Sequence, residues 1–370
     1  MQVMTDRHEV IVVGGGQAGL AVGYLLAQQG RDFKILEAAD APAAAWLARW
    51  ESLRLFTPVR YDSLPGRPFP GDPYSYPIRD DVVSYLTDYA RDFELPVQLN
   101  NRVRSLRRVD GRYVLDLEDR AYESDQVVVA TGPFQVPRTP AFAERLDPAV
   151  VQLHSSDYRT PESVPAGPAL VIGGGNTGYQ IAAELAASRE VHLSIGSPQT
   201  PLPQRILGRD LFWYLEATGL IHKTKASRIG RRMQAREDTL IGSSPRAIRR
   251  HGVQLRGRTV EVAGATVQFS DGTTLDPGSV IWATGFGIDH SWIDVPVFDR
   301  DGQVVHERGV TQSAGLYFLG LPWQHTRGSA LLGWVKDDAE YLAEQIKAYQ
   351  LRTPAGRESL TTTSTSRSTA

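Results

Sequence analysis

The chain has 370 residues, 41% hydrophobic and 22% charged, with a formal net charge of −2. That length holds about two domains with cores of their own, and the near-neutral balance gives no electrostatic reason to expect nucleic acid or a membrane surface as partner. There is no cysteine, which excludes disulfide exchange, thiolate catalysis and cysteine-based metal sites together and agrees with a cytoplasmic location.

The first apolar run, Val10 to Val13, leads directly into glycines, so no signal peptide is expected, and no apolar stretch is long enough to span a bilayer. The run reads as a buried parallel strand. It breaks into Gly14, Gly16 and Gly19 at the spacing G-x-G-x-x-G, followed by a helical pattern with Leu20, Leu25 and Leu26. A second strand, Lys34 to Leu36, ends on Glu37. In a dinucleotide site Gly14 permits the tight turn, Gly16 lets the backbone approach a pyrophosphate, and Gly19 lets helix and strand pack closely. The first helical turn, with Gln17 and Ala18, presents free N–H groups and a positive dipole end to phosphate. Glu37 is suited to accept hydrogen bonds from ribose hydroxyls.

The next segment, residues 38–80, carries seven prolines and no helical or strand period. It reads as a loop over the first cofactor with Trp46, Arg49 and Thr57 as contacts, or as a covering loop without ligand contact. An amphipathic helix is expected over residues 80–95, with Val82, Val83, Leu86, Tyr89 and Phe93 on one face and Asp80 or Asp81 as N-cap. A small antiparallel meander follows from Val97 to Val129, with Val103 assigned to the first nucleotide. It ends in Ala130, Thr131 and Gly132, small residues that let the backbone pass close to a nucleotide. Pro133, Pro137 and Pro140 mark a linker.

The fingerprint then recurs. Residues 169–178 give an apolar strand and Gly173, Gly175 and Gly178, with Asn176 and Thr177 opening the helix. A strand from Val191 to Ile195 follows, then Arg205 and Arg209, which are candidates for phosphate contacts or solvated surface residues. Phe212, Trp213 and Tyr214 read as helix core or interdomain packing. Strands are expected over residues 253–275, around the turn at Asp271 and Gly272. This copy too ends in Ala283, Thr284 and Gly285. One more strand, Leu316 to Leu319, precedes a Gly-rich turn from Gln324 to Leu331, whose amides are expected near the cofactor's reactive ring. A final helix has Ala339, Leu342, Ile346 and Tyr349 on one face.

Two fingerprints predict an α/β fold of two dinucleotide-binding, Rossmann-like domains, with the NAD(P)H domain inserted into the FAD domain. The boundaries read as 1–160 and 281–352 for the FAD-binding domain and 161–280 for the NAD(P)H-binding domain. Residues 353–370 form a polar, disordered tail. Two such sites call for nucleotides that exchange electrons, FAD in the first and NADPH or NADH in the second. The tip of the second domain's second strand, with Ser194 as a contact, has no acid, which favours NADPH.

These residues resemble the class B flavoprotein monooxygenases, and most closely the small bacterial flavin-containing monooxygenase-like proteins. The likeness runs to about Tyr349 and rests on both fingerprints, the Trp46–Thr57 loop, the RILGRDLF stretch, Ala283 to Phe286, and LGLPW from Leu319. Of the family's linker motif, F-x-G-x-x-x-H-x-x-x-[FYW], the chain keeps His154 and Tyr158 and has Pro148 and Val150 where the motif has Phe and Gly. The family's frequent active-site Asn is lacking, and near its place this chain has Phe56 and Thr57. The resemblance implies reduction of FAD by NADPH and transfer of one oxygen from O2, through a C4a-hydroperoxyflavin, to a soft sulfur or nitrogen nucleophile of a small molecule. It implies that His154 and Tyr158 contact cofactor, that Thr57 and Gln324 serve catalysis, and that no metal is required. Baeyer–Villiger oxygenation of ketones, or a reductase passing electrons to ferredoxin or quinone, are the alternatives.

Overall fold

The computed structural model describes residues 5–235 and 239–352; the expected tail, 353–370, lies outside them. The first sheet has a parallel core in the order Leu316–Phe318, Ala121–Val129, Thr5–Val13, Phe33–Leu36 and Val97–Gln98. Val10, Ile11 and Val12 are fully buried within it, each worth about 1.5–3 kcal/mol on leaving water. Ser105–Val109 and Arg112–Asp116 extend the sheet as an antiparallel hairpin. Its turn is made by Asp110 and Gly111, with φ of 50° and 83°, as a tight primed turn requires.

The second sheet repeats that core. Its order is Gln254–Arg256, Val191–Ser194, Ala169–Ile172, Ser279–Trp282 and Val151–His154, all parallel. The boundaries expected at 160/161 and 280/281 therefore shift. Val151–His154 belongs to the second sheet and Ser279–Trp282 lies wholly inside it, because each Rossmann core draws an outer strand from beyond its own fingerprint. The crossings between domains fall instead where Val136–Pro137 pairs antiparallel with Phe286–Gly287, beside the expected linker prolines.

The fingerprint helices are Gln17–Gln28 and Asn176–Leu185. The amphipathic helix runs Arg79–Asp92. Asp81 sits inside it rather than at the N-cap, and its carboxylate accepts from the Ile78 amide at 3.0 Å. The terminal helix, Val335–Arg352, buries Ala339, Leu342 and Ile346 in the first core. Among the described residues no helix is long and apolar enough to cross a membrane.

Candidate functional site

Both fingerprints close on the same geometry. Gly14 and Gly173 have φ of 112° and 135°, open to glycine and strained for any L side chain. A Cβ there would lie 2.5 Å from the Ala130 carbonyl oxygen and 2.1 Å from that of Ala283. Each Ala-Thr-Gly segment is thus the wall against which a fingerprint turn packs. At Gly19 and Gly178 a Cβ would meet the Gly14 and Gly173 carbonyl oxygens at 1.8 and 2.0 Å. Gly16 and Gly175 are the opposite case: a Cβ would find no atom within 4 Å. They stand at the N-caps of the two fingerprint helices, neither of which has a side-chain cap. Uncapped N–H groups at an open helix start suit a pyrophosphate.

Glu37 flanks the first cradle. Its Oε2 accepts from the Gly15 amide at 2.7 Å and its Oε1 from the Ala39 amide at 2.9 Å, leaving each oxygen a further lone pair for a ribose hydroxyl. Glu37→Gln turns one of these acceptors into a donor facing a backbone N–H. FAD binding is expected to weaken about tenfold, measured as flavin retained on dilution.

The loop after Glu37 bridges both fingerprint helices. Trp46 Nε1 donates to Gln17 Oε1 at 3.0 Å, and Gln17 Nε2 donates to the Ala330 carbonyl at 3.2 Å. From the second fingerprint helix, Gln180 accepts from the Arg54 amide at 3.1 Å and donates to its carbonyl at 3.0 Å. Between these clamps the loop contributes to an aromatic wall. Phe56 stacks on Phe212 at 6.0 Å, and Tyr61 on Trp334 at 5.6 Å. The wall joins the loop, the second domain and the C-terminal turn, where Leu331 packs against it. This is the interdomain packing expected of Phe212.

Behind the wall lies a residue that sequence reasoning missed. Asp62 is fully buried; it accepts from Thr57 Oγ1 at 2.6 Å and its Oδ2 has no partner. Burial pushes its carboxyl up to about 8, with the Thr57 hydrogen bond opposing, so it is protonated at neutral pH. Only its position in an irregular loop marks it in the sequence.

Several expected contacts are engaged elsewhere. Arg49 lies 4.8 and 4.9 Å from the Phe134 and Phe286 ring centroids, joining the loop to the interdomain crossing. His154 uses both ring nitrogens: Nδ1 accepts from the Ser156 amide at 3.1 Å and Nε2 pairs with the Gly285 carbonyl at 3.1 Å. Burial holds its pKa below the usual value, so the neutral ring braces Gly285. Tyr158 is fully buried in the second core, and its hydroxyl donates to Glu184 at 2.8 Å. Ser194 is 1% exposed, its hydroxyl satisfied by Gly257 and Thr259. Gln324 is wholly buried. Its Oε1 accepts from the Leu321 amide, and its Nε2 lies against Gly309. That Nε2 is buried without a hydrogen-bond partner.

The remaining assignments keep looser placements. Thr131 accepts from Gln135, Thr284 donates to the Arg138 carbonyl, and Asn176 accepts from the Ile241 amide at 3.0 Å. Thr177 and Val103 are half-buried; Arg205 and Arg209 are exposed on a short hairpin. The Arg209 guanidinium covers Trp213 at 4.2 Å.

Residues 11–201 match the family described as pyridine nucleotide-disulphide oxidoreductase. A CzcO-like oxidoreductase of Geobacillus kaustophilus is 43% identical, covering 91% of this chain and 98% of that one. The chain belongs to the pyridine nucleotide-disulphide oxidoreductase family. A flavin-containing monooxygenase from Stenotrophomonas maltophilia has the same fold, with a TM-score of 0.79 at 29% identity, over 93% of this chain and 99% of that one. A probable indole-3-pyruvate monooxygenase of Arabidopsis thaliana, YUCCA9, is 26% identical over 94% of this chain and 92% of its own.

These relatives bear out the resemblance to class B flavoprotein monooxygenases, and the chain is a flavin-dependent oxidoreductase of the monooxygenase type. Its cofactors are FAD and NADPH, and the residues fit both. The first cradle has an open N-cap glycine, uncapped helix amides and a ribose-seeking carboxylate; the second has the same glycines and amides without the carboxylate. Despite the family's descriptive name, this member has no cysteine with which to exchange disulfides.

Proposed function

We propose that this monooxygenase transfers one atom of O2 to a soft sulfur or nitrogen nucleophile of a small apolar molecule. In balance, a thioether, O2, NADPH and a proton give sulfoxide, NADP⁺ and water. The observation that carries the reading is the loop that clamps both fingerprint helices and packs its aromatic rings against the second domain and the C-terminal turn.

Hydride acceptance and activation of O2 are the chemistry that FAD supplies when bound. The protein's work is placement. Gly14, Gly16 and Gly19 with Glu37 would hold FAD, and Gly173, Gly175 and Gly178 would hold NADPH. Trp46, Gln17 and the Ala330 carbonyl would fix the loop against the first site. Phe56, Tyr61, Phe212 and Trp334 would keep water from the reacting centre. A lone-pair nucleophile needs no protein base to attack an electrophilic oxygen, so this set of residues suffices. Its work is placed in the cytoplasm, on the strength of the cysteine-free sequence.

Offering the enzyme a thioether and a cyclic ketone together, with NADPH and air, tests the choice of substrate. Sulfoxide as the main product is expected. Lactone instead would move the assignment to ketone oxygenation, and neither product, with rapid reduction of an added quinone, would make the protein a reductase.

A further inference from the structure

We propose that Arg258 reads the 2′-phosphate of the nicotinamide nucleotide and is the residue that selects NADPH over NADH. The proposal rests on the reading that the second fingerprint binds NADPH.

The internal repeat supplies the frame. The Gly14 amide donates to the Leu36 carbonyl at 2.8 Å, and the Gly173 amide donates to the Ser194 carbonyl at 3.0 Å. Ser194 therefore corresponds to Leu36, and Ile195 to Glu37. Contacts with the second glycine of each fingerprint agree. A Cβ on Gly15 would lie 3.1 Å from Glu37 Oε2, and one on Gly174 would lie 2.7 Å from Gln199 Nε2 and 3.0 Å from Ile195 Cγ2. The seat that holds a carboxylate in the first domain holds an alkyl group and the uncharged Gln199 amide in the second. That carboxylate is what binds an unsubstituted ribose and repels a 2′-phosphate.

A cation stands beside this seat, brought from another strand. Arg258 Nε donates to the Gly196 carbonyl at 3.0 Å, one residue beyond Ile195. Its Nη2 lies 3.6 Å from the position a Cβ on Gly196 would take. Both neighbours of Arg258 are pinned to the same strand tip. The Ser194 hydroxyl lies 2.9 Å from the Gly257 carbonyl and accepts from the Thr259 amide at 3.1 Å. Buried Ser194 thus acts as the anchor that fixes Arg258, which is why its own hydroxyl is spent. Arg258 is exposed, and its Nη groups make no hydrogen bond or ion pair among the described residues. A guanidinium fixed through Nε, with both Nη groups free, is a ready fork for a phosphate. Arg209, by contrast, is committed to the face of Trp213.

Calorimetric titration of the flavin-loaded protein with 2′,5′-ADP and with 5′-AMP tests the assignment without turnover. Wild type should prefer 2′,5′-ADP. Arg258→Ala should weaken its binding about 10- to 100-fold and leave 5′-AMP unchanged, while Arg258→Lys falls between. Unaltered preference in Arg258→Ala, or equal loss for both ligands, overturns the role of Arg258 and leaves the NADPH site standing. A wild type that binds neither ligand, or both equally, overturns the NADPH reading and this proposal with it.

Discussion

Gly19→Ala is expected to purify without flavin, and Gly178→Ala to keep its flavin but lose reduction by NADPH. The steric argument is the same in both copies. The added methyl carbon would sit 1.8 or 2.0 Å from a carbonyl oxygen of the fingerprint turn, so helix and turn must separate. Separation moves the helix amides off the pyrophosphate they would bind. Because each Rossmann core has its own parallel sheet, damage to one should leave the other loaded. Losses of at least 100-fold in the affected affinity are expected, on the order of 3 kcal/mol or more. Flavin absorbance and anaerobic NADPH titration separate the two variants. If both lose flavin alike, the domains are not independent sites.

Wild-type stability should fall with rising pH in a way that Asp62→Asn abolishes. The buried carboxyl titrates at about 8, against an ordinary value of 3.8, so the folded state holds its proton more tightly than the unfolded chain. The stabilisation is complete below the unfolded value and is lost as pH climbs through the folded one. The neutral isostere carries no such dependence. Relative to Asp62→Asn, wild type should lose about 1.4 kcal/mol per pH unit between pH 5 and 7, and nothing further once above about pH 8. Other carboxylates titrate alike in both proteins and cancel. Asp62→Ala leaves a void and an unpaired Thr57 hydroxyl, costing roughly 2–4 kcal/mol even at acid pH. Parallel melting profiles for wild type and Asp62→Asn would show that the carboxyl is ionised in the fold.

The nucleotide cradles were legible because each residue in them answers to a local rule. Gly14, Gly19, Gly173 and Gly178 are dictated by turn and close approach, and the strands around them by apolar runs. The strand Leu316–Phe318 and the terminal helix were legible for the same reason. What escaped depends on pairing between distant segments. Val151–His154 joins the second sheet through Ser279–Trp282, far along the chain, and no periodicity announces it. Asp62 is notable only once it is buried, and Arg258 only once Ser194 pins its neighbours. His154 and Tyr158 stand where the family motif puts them, yet their hydrogen bonds brace the linker and the second core. Gln324 is wholly buried against Gly309, a placement that a Gly-rich turn does not announce in sequence.

The central claim is that reducing equivalents entering at the second fingerprint leave as one inserted oxygen atom. A single turnover decides it: reduce the FAD-loaded protein anaerobically with one equivalent of NADPH, then add oxygen-18 gas and a thioether, and analyse the products by mass spectrometry. Sulfoxide carrying one labelled oxygen, nearly one per NADPH, with little peroxide, is the expected result. Full recovery of the reducing equivalents as labelled hydrogen peroxide, with the thioether untouched, would contradict it.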